Sequence, residues 1–311
     1  MLDGLPRVVV IGDLLAEVIT TLSSESFCGI SSDLLVYSDV SIAPGGSAMG
    51  FALAAVGLFD SVTAVGVIGD DALGAYLLGV LSEHGVRFAG ERAGGGRTGA
   101  SVYVRDAAPS APGGVRLLIV DRGVNDSLEL DSATIDTLLS GSDALLTDGY
   151  CLFEEPRAST TLAAMKRARE RGVRVAFDLV PHLAYLHRSL AWLDTAVASA
   201  DTVIAEVRTL GRFLGLECPE LITDDSLAAL VAETAEARLG EKTYSLRYGA
   251  GNIGRSLIVA PGCDPVYTDT GYCRDGNPRG FGDRLTAMEL DRALGGQRRS
   301  PARQGTLPGQ D

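Results

Sequence analysis

The sequence predicts an α/β domain: a mainly parallel sheet covered by helices on both faces, with a small β-lid set into it. Three observations carry that prediction. Short apolar β-type runs recur along the chain with helical stretches between them, the pattern that parallel βαβ units leave in a sequence. Two polar, β-rich segments, at about 18–44 and 95–121, interrupt the rhythm near its start. The chain is 46% hydrophobic and 22% charged over 311 residues, which suits one large globular domain with a small appendage.

The elements follow in order. Residues 7–11 form an unbroken β-type run that ends at Gly12-Asp13. Small apolar residues over 47–58 suit a tightly packed helix, and 62–68 reads as the next strand. Leu73, Leu77, Val80, Leu81 and His84 share one helical face, with Asp70 or Asp71 as its N-cap and Gly85 as its stop. His84, near the end of that helix, suits a partner for its C-terminal dipole. Short buried strands are expected at 143–146, 173–177 and 202–205. Helices are expected around Leu162 and Met165 and again around Leu227, Leu230 and Val231.

In the lid, Ser101-Val102-Tyr103-Val104 and Arg116-Leu117-Leu118-Ile119-Val120 read as strands joined by a Pro/Gly-rich hairpin connection over 107–114. The domain is expected to span 1–295. The polar Pro/Gly-rich segment 296–311 is expected to be a disordered tail.

Composition excludes several function classes. A net charge of −13 repels phosphate backbones and anionic bilayers, so neither nucleic acid nor a membrane surface is an expected partner. No apolar run approaches the roughly 18 residues of a membrane span. The five cysteines (Cys28, Cys151, Cys218, Cys263, Cys273) are odd in number and never spaced C-x-x-C. That argues against structural zinc and a disulfide framework, and for a reducing cytoplasm. Cys151 is expected to be a packing residue, His182 and His187 structural, and Trp192 part of the core. A dinucleotide oxidoreductase would need G-x-G-x-x-G after the first strand, and Gly12-Asp13-Leu14-Leu15 lacks it.

The chemistry concentrates in Asn277-Pro278-Arg279-Gly280-Phe281-Gly282-Asp283, ahead of a helical run through Leu285, Met288, Leu290 and Leu294. Glycines opening a helix direct backbone N–H groups one way, with the positive end of the helix dipole behind them, and so favour an anion such as phosphate. A carboxylate in the same turn can take the proton of an attacking hydroxyl, the pairing phosphoryl transfer requires. The same residues also suit a surface turn with a helix-capping Asp.

Order and spacing together resemble the ribokinase-like (PfkB) family of carbohydrate and nucleoside kinases. Gly12-Asp13 matches the opening after the first strand. The first signature, from a Gly-Gly pair to a Gly-Asp-Asp context, lies without a gap on Gly45-Gly46 through Gly69-Asp70-Asp71. Gly123-Val124-Asn125-Asp126 is similar to the Gly-Ala-Asn segment after the lid, and Thr147-Asp148-Gly149-Tyr150 and Phe177-Asp178 match sheet-edge patterns. The second signature, usually Asp-Thr-x-Gly-Ala-Gly-Asp, falls on Asn277 to Asp283.

The resemblance implies a ribokinase-like three-layer α/β/α core with a β-lid, and transfer of the γ-phosphate of ATP, with Mg²⁺, to a hydroxyl of a sugar, nucleoside or related polyol. It assigns Asp283 as the base, and Gly280, Phe281 and Gly282 as the anion hole. The acceptor side falls on Asp13, Glu17, Gly45, Gly46 and Gly50. The nucleotide side falls on Glu206, Arg247, Gly249, Gly251 and Gly254, and no residue is assigned as a direct metal ligand. It also implies a homodimer through the lid.

Departures cluster at these positions. Gly50 stands for an Asn, Phe59 for a helix-end Gly, Glu206 and Thr209 for an Asn-x-x-Glu pair, and Phe281 for an Ala, while Arg284 follows the base. The family continues with further helices after the catalytic loop that help wall the adenine pocket. The alternative expectation is a catalytically reduced relative that binds a sugar-like ligand or a partner subunit.

Overall fold

The computed structural model describes residues 4–22, 32–33, 35–106, 115–180, 193–218, 224–250, 253–273 and 280–295. Cys28, the connection 107–114, His182, His187, Trp192, Gly251, Asn277, Pro278, Arg279 and the segment 296–311 lie outside the described residues.

The first half alternates between body and lid. Strand β1 (Arg7–Ile11) leads through Gly12 into β2 (Leu15–Leu22), and β3 (Val40–Gly45) returns to helix α1 (Ser47–Ala54). Strands β4 (Ser61–Val65) and β5 (Val67–Gly69) follow, then α2 (Ala72–Glu83), β6 (Arg87–Phe88), β7 (Glu91–Ala93), β8 (Gly99–Asp106) and β9 (Val115–Asp121).

The second half is more regular: α3 (Ser132–Leu139), β10 (Ala144–Asp148), α4 (Arg157–Glu170), β11 (Arg174–Asp178), α5 (Asp194–Ser199), β12 (Thr202–Glu206), α6 (Val207–Phe213) and α7 (Asp225–Leu239). It closes with β13 (Thr243–Ala250), β14 (Ile253–Val259), β15 (Val266–Cys273) and α8 (Phe281–Ala293).

A nine-stranded sheet in the order β15-β14-β13-β12-β11-β10-β1-β4-β6 forms the body. It is parallel from β6 to β13 and antiparallel only where β14 and β15 extend it. Because strand side chains alternate between faces, its apolar residues sort into two cores. Val9, Ile11, Leu145, Val175, Phe177 and Val203 pack under α3 to α7. Val8, Val10, Leu146, Ala176 and Ile204 pack with Met49 and Phe51 of α1, Leu77 and Leu81 of α2, and Ala287 and Leu290 of α8. Three layers result, and α1 and α8 share one face. The lid is a separate four-stranded sheet, β3-β2-β8-β9.

Local chemistry accounts for the boundaries. Asp71, one of the two cap candidates, accepts from the Gly74 N–H at 2.8 Å, and its other oxygen accepts from the Thr98 N–H at 2.8 Å, tying α2 to the root of the lid. His84 hydrogen-bonds the Val80 carbonyl at 2.8 Å, as its place at the helix end suggests. The run 62–68 is two strands, broken at Gly66, whose carbonyl accepts from Glu91 N–H at 3.0 Å. The expected helix over 47–58 stops at Ala54, and a turn returns the chain to a bridge between Val56 and Phe59. Strands β13, β14 and β15 form an antiparallel edge that the helix–strand alternation does not anticipate.

Candidate active site

In a doubly wound sheet, ligands meet the carboxyl ends of the strands. Here those ends carry acids: Asp13 just after β1, Asp148 ending β10, Asp178 ending β11 and Glu206 ending β12. Asp148 and Asp178 are paired neighbours in the strand register.

Asp13 anchors the entry to α1. Its carbonyl accepts from the Ala48 and Met49 N–H groups at 3.2 and 3.3 Å, and its own N–H donates to Ser47 Oγ at 3.2 Å. Gly46 makes this approach possible: it has φ +89°, and a Cβ there would stand 2.4 Å from the Asp13 carbonyl oxygen. The Asp13 carboxylate is bound by two guanidinium groups. Arg157, only 1% exposed, donates to Oδ1 and also to Cys151 Sγ at 3.1 Å, and Arg122 donates to Oδ1 at 3.0 Å. Burial pushes the Asp13 carboxyl up, but the charges and hydrogen bonds of Arg157 and Arg122 outweigh it and hold the group below its ordinary value. Cys151 is buried, as expected, and desolvation pushes its thiol up to about 11.

Glu17, on lid strand β2, lays its carboxyl group against Gly45, where a Cβ would meet Glu17 atoms at 2.5 to 2.6 Å. Asp148 accepts from the Tyr150 and Cys151 N–H groups at 2.7 and 3.3 Å, and burial together with the nearby Asp13 charge pushes it up to about 6. Asp178 accepts from Thr286 Oγ1 at 2.9 Å and from Arg247 at 3.3 Å.

Helix α8 begins at Gly280, φ +74°, and brings Asp283 into its first turn. Gly282 is exposed, and among the described residues outside its own turn nothing lies within 4 Å of where its Cβ would be. The first turn of α8 directs its leading backbone N–H groups out of the helix end. The Asp283 carboxyl is pushed up to about 7, first by burial and then by Asp178, with Arg247 opposing and Asp148 and Glu17 adding to the rise. Carboxyl groups from β2, β10 and β11 thus lie near enough to Asp283 of α8 to raise its pKa.

The residues that the resemblance expects on the nucleotide side are placed differently from one another. Arg247 turns under α8, donating to Glu289 at 2.9 Å and to Thr286 and Asp178. Gly249 and Gly254 oppose each other across the β13–β14 hairpin. Glu206 precedes α6, and Thr209 behind it is buried. Sequence reasoning missed Arg122, Arg157, Thr286 and Glu289. It named Asp148 and Asp178 only as pattern matches, although an acid at the end of each successive parallel strand was a readable signal.

The sequence matches the pfkB family of carbohydrate kinases across residues 5–237. The chain belongs to that family. It is 25% identical to the 5-dehydro-2-deoxygluconokinase of Photobacterium profundum, over 81% of this chain and 69% of the relative. Among solved structures, the ribokinase of Arabidopsis thaliana in complex with ribose and ATP superposes with a TM-score of 0.71 at 18% identity, covering 94% of this chain and 87% of that one. The fructokinase of Halothermothrix orenii does so with a TM-score of 0.66 at 19% identity, covering 95% and 94%.

The pfkB-family match takes in the residues from Asp13 to Gly50 that the resemblance expects on the acceptor side and the strand-end acids of β10 to β12, while Asp283 lies beyond its end. The three-layer body and β-lid of this carbohydrate kinase are those of the ribokinase fold. Among its described residues no helix is long and apolar enough to cross a membrane, and no group of three or more His, Cys, Asp or Glu is placed to hold a metal ion.

Proposed function

We propose that this chain transfers the γ-phosphoryl group of ATP to a hydroxyl of a sugar, with Asp283 as general base. The observation that supports this most is a single turn of helix: an open, glycine-built N-terminus with a carboxyl group beside it whose pKa, about 7, suits proton transfer near neutral pH. When bound, ATP supplies the phosphoryl group and Mg²⁺ offsets its charge, arriving with the phosphates and needing at most one or two protein carboxylates.

The chain's own residues do the rest. The backbone donors of Gly280, Phe281 and Gly282 hold the transferred group against the dipole of α8. Asp283 accepts the proton of the acceptor hydroxyl. Glu17 and Asp148 offer hydrogen-bond acceptors to the sugar's other hydroxyls, while Asp13, Gly45 and Gly46 fix the entry to α1 beneath it. Arg247 clasps α8 to β11 through Thr286 and Asp178, and the hairpin glycines 249 and 254 border the nucleotide side. A sugar is favoured over a nucleoside because the curated relative phosphorylates a sugar derivative and the structural neighbours include a ribokinase and fructokinases.

The pH dependence of kcat tests this reading. Asp283 must be ionised to work, and burial first, then Asp178, Asp148 and Glu17, hold its pKa up against Arg247. Turnover therefore falls as pH drops through about 7 and levels off above it. A profile flat between about pH 5.5 and 8 contradicts the role.

The protein partner in this reading is a second copy, docked through the lid. Edge strand β9 exposes Leu117, Leu118, Ile119 and Val120, with Ile119 at 56%, and β3 at the opposite edge exposes Val40 and Ile42. Consecutive apolar side chains on an open edge are what strand pairing between copies would cover. Sedimentation should show a dimer that Ile119→Lys shifts to monomer. A monomer before substitution removes this part. The free thiols of Cys151, Cys218 and Cys263 suit the reducing cytoplasm.

One observation favours the alternative of a reduced, ligand-binding relative. Thr209 stands, buried, where the resemblance expects the Glu of the Asn-x-x-Glu pair.

A further inference from the structure

Gly50 is the fourth residue of the eight-residue helix α1, a position where glycine is the weakest helix former after proline. A left-handed backbone does not explain it, because its φ is not positive. The three atoms nearest to where its Cβ would stand all belong to Asp283: Oδ2 at 2.1 Å, Cγ at 2.5 Å and Cβ at 3.2 Å. The same relation recurs five residues earlier, where the three nearest atoms to a Gly45 Cβ all belong to Glu17. One short stretch of chain therefore presents bare backbone to two carboxyl groups that arrive from different elements.

We propose that Gly50 is a positioning residue: in this chain its missing side chain, where the family pattern has an Asn, forms the seat in which the Asp283 carboxyl group rests, and with α1 and α8 packed as they are, a methyl group at position 50 displaces that group. The inference rests on the reading of Asp283 as the base and adds what holds it in place.

The packing says which part gives way. Helices α1 and α8 are fixed side by side by Met49, Phe51, Ala287 and Leu290, all buried in one core. The Asp283 side chain turns about two bonds only. A methyl group at position 50 therefore meets the carboxyl group before it meets the facing helix, and relieving that contact rotates the carboxyl group away.

Gly50→Ala, Asp283→Asn, Asp283→Ala and the double variant Gly50→Ala/Asp283→Ala test this. Gly50→Ala is expected to lower kcat at least about 30-fold, with KM for ATP within about twofold, because an interaction of the transition state is removed rather than nucleotide binding. With Asp283 present the same substitution should lower Tm; in the Asp283→Ala background, where only a Cβ at 3.2 Å still faces the new methyl group, it should lower Tm less or not at all, and that difference reports the contact independently of catalysis. If Gly50→Ala fails to fold alone but folds in the Asp283→Ala background, the seat is supported. A folded Gly50→Ala protein with unchanged kcat and no difference between backgrounds overturns the proposal, provided Asp283→Asn is inactive. Full activity in Asp283→Asn instead removes the base reading, and the inference falls with it.

Discussion

Asp283→Asn is expected to lower kcat by about 10²- to 10⁴-fold, the range over which a positioned general base contributes, while sugar and ATP affinities stay near those of the unsubstituted protein. The replacement keeps shape and removes only the ability to accept the proton. A second readout separates this role from a structural cap. In the folded protein the Asp283 pKa is about 7 against an ordinary 3.8, so folding favours the protonated form. Its contribution to stability is complete below about pH 4 and is lost as pH rises through about 7. Asn carries no charge to bury, so Asp283→Asn should raise Tm at pH 8, and the gain should vanish toward pH 4. A helix cap predicts the reverse, a lower Tm at pH 8 with turnover little changed.

Arg157→Met is expected to destabilise the fold by about 3 to 5 kcal/mol, the usual consequence of removing one partner from a buried ion pair. Arg157 is buried and binds both the Asp13 carboxylate and Cys151 Sγ, so its loss leaves Asp13 with Arg122 alone. Because the Asp13 backbone carbonyl holds the first turn of α1, the damage should reach turnover as well. Chemical denaturation checks the size of the effect. Adding Asp13→Asn to Arg157→Met should recover part of the loss, since the stranded charge is then gone. An unchanged denaturation midpoint for Arg157→Met contradicts this account of the cluster.

How much of this was legible in the sequence follows from the range of the forces involved. The body of the sheet was readable because strands such as β1 and β10 are continuous apolar runs punctuated by glycine and acid. The capping of α2 by Asp71 was readable because its partner is three residues away. The edge β13 to β15 was not, since residues 243–273 mix glycines with polar residues and read as a loop motif rather than as strands.

The ion pairs of Arg122 and Arg157 with Asp13, and of Arg247 with Asp178 and Glu289, left no local trace, because each joins elements far apart in the chain. Gly50 is the sharpest case. Its identity marks a departure from the family pattern, yet its reason is a carboxyl group on another helix, visible only once α1 and α8 are seen packed on the same face.

The most direct test is transfer of a labelled γ-phosphoryl group from Mg·ATP to a panel of ketoses, aldoses and sugar acids, with nucleosides and Asp283→Asn run beside them. The account predicts label in a sugar phosphate, formed only with a matching acceptor and lost in the variant. No transfer to any acceptor, with sugars raising Tm and ATP leaving it unchanged, contradicts the kinase mechanism and leaves the ligand-binding relative in its place.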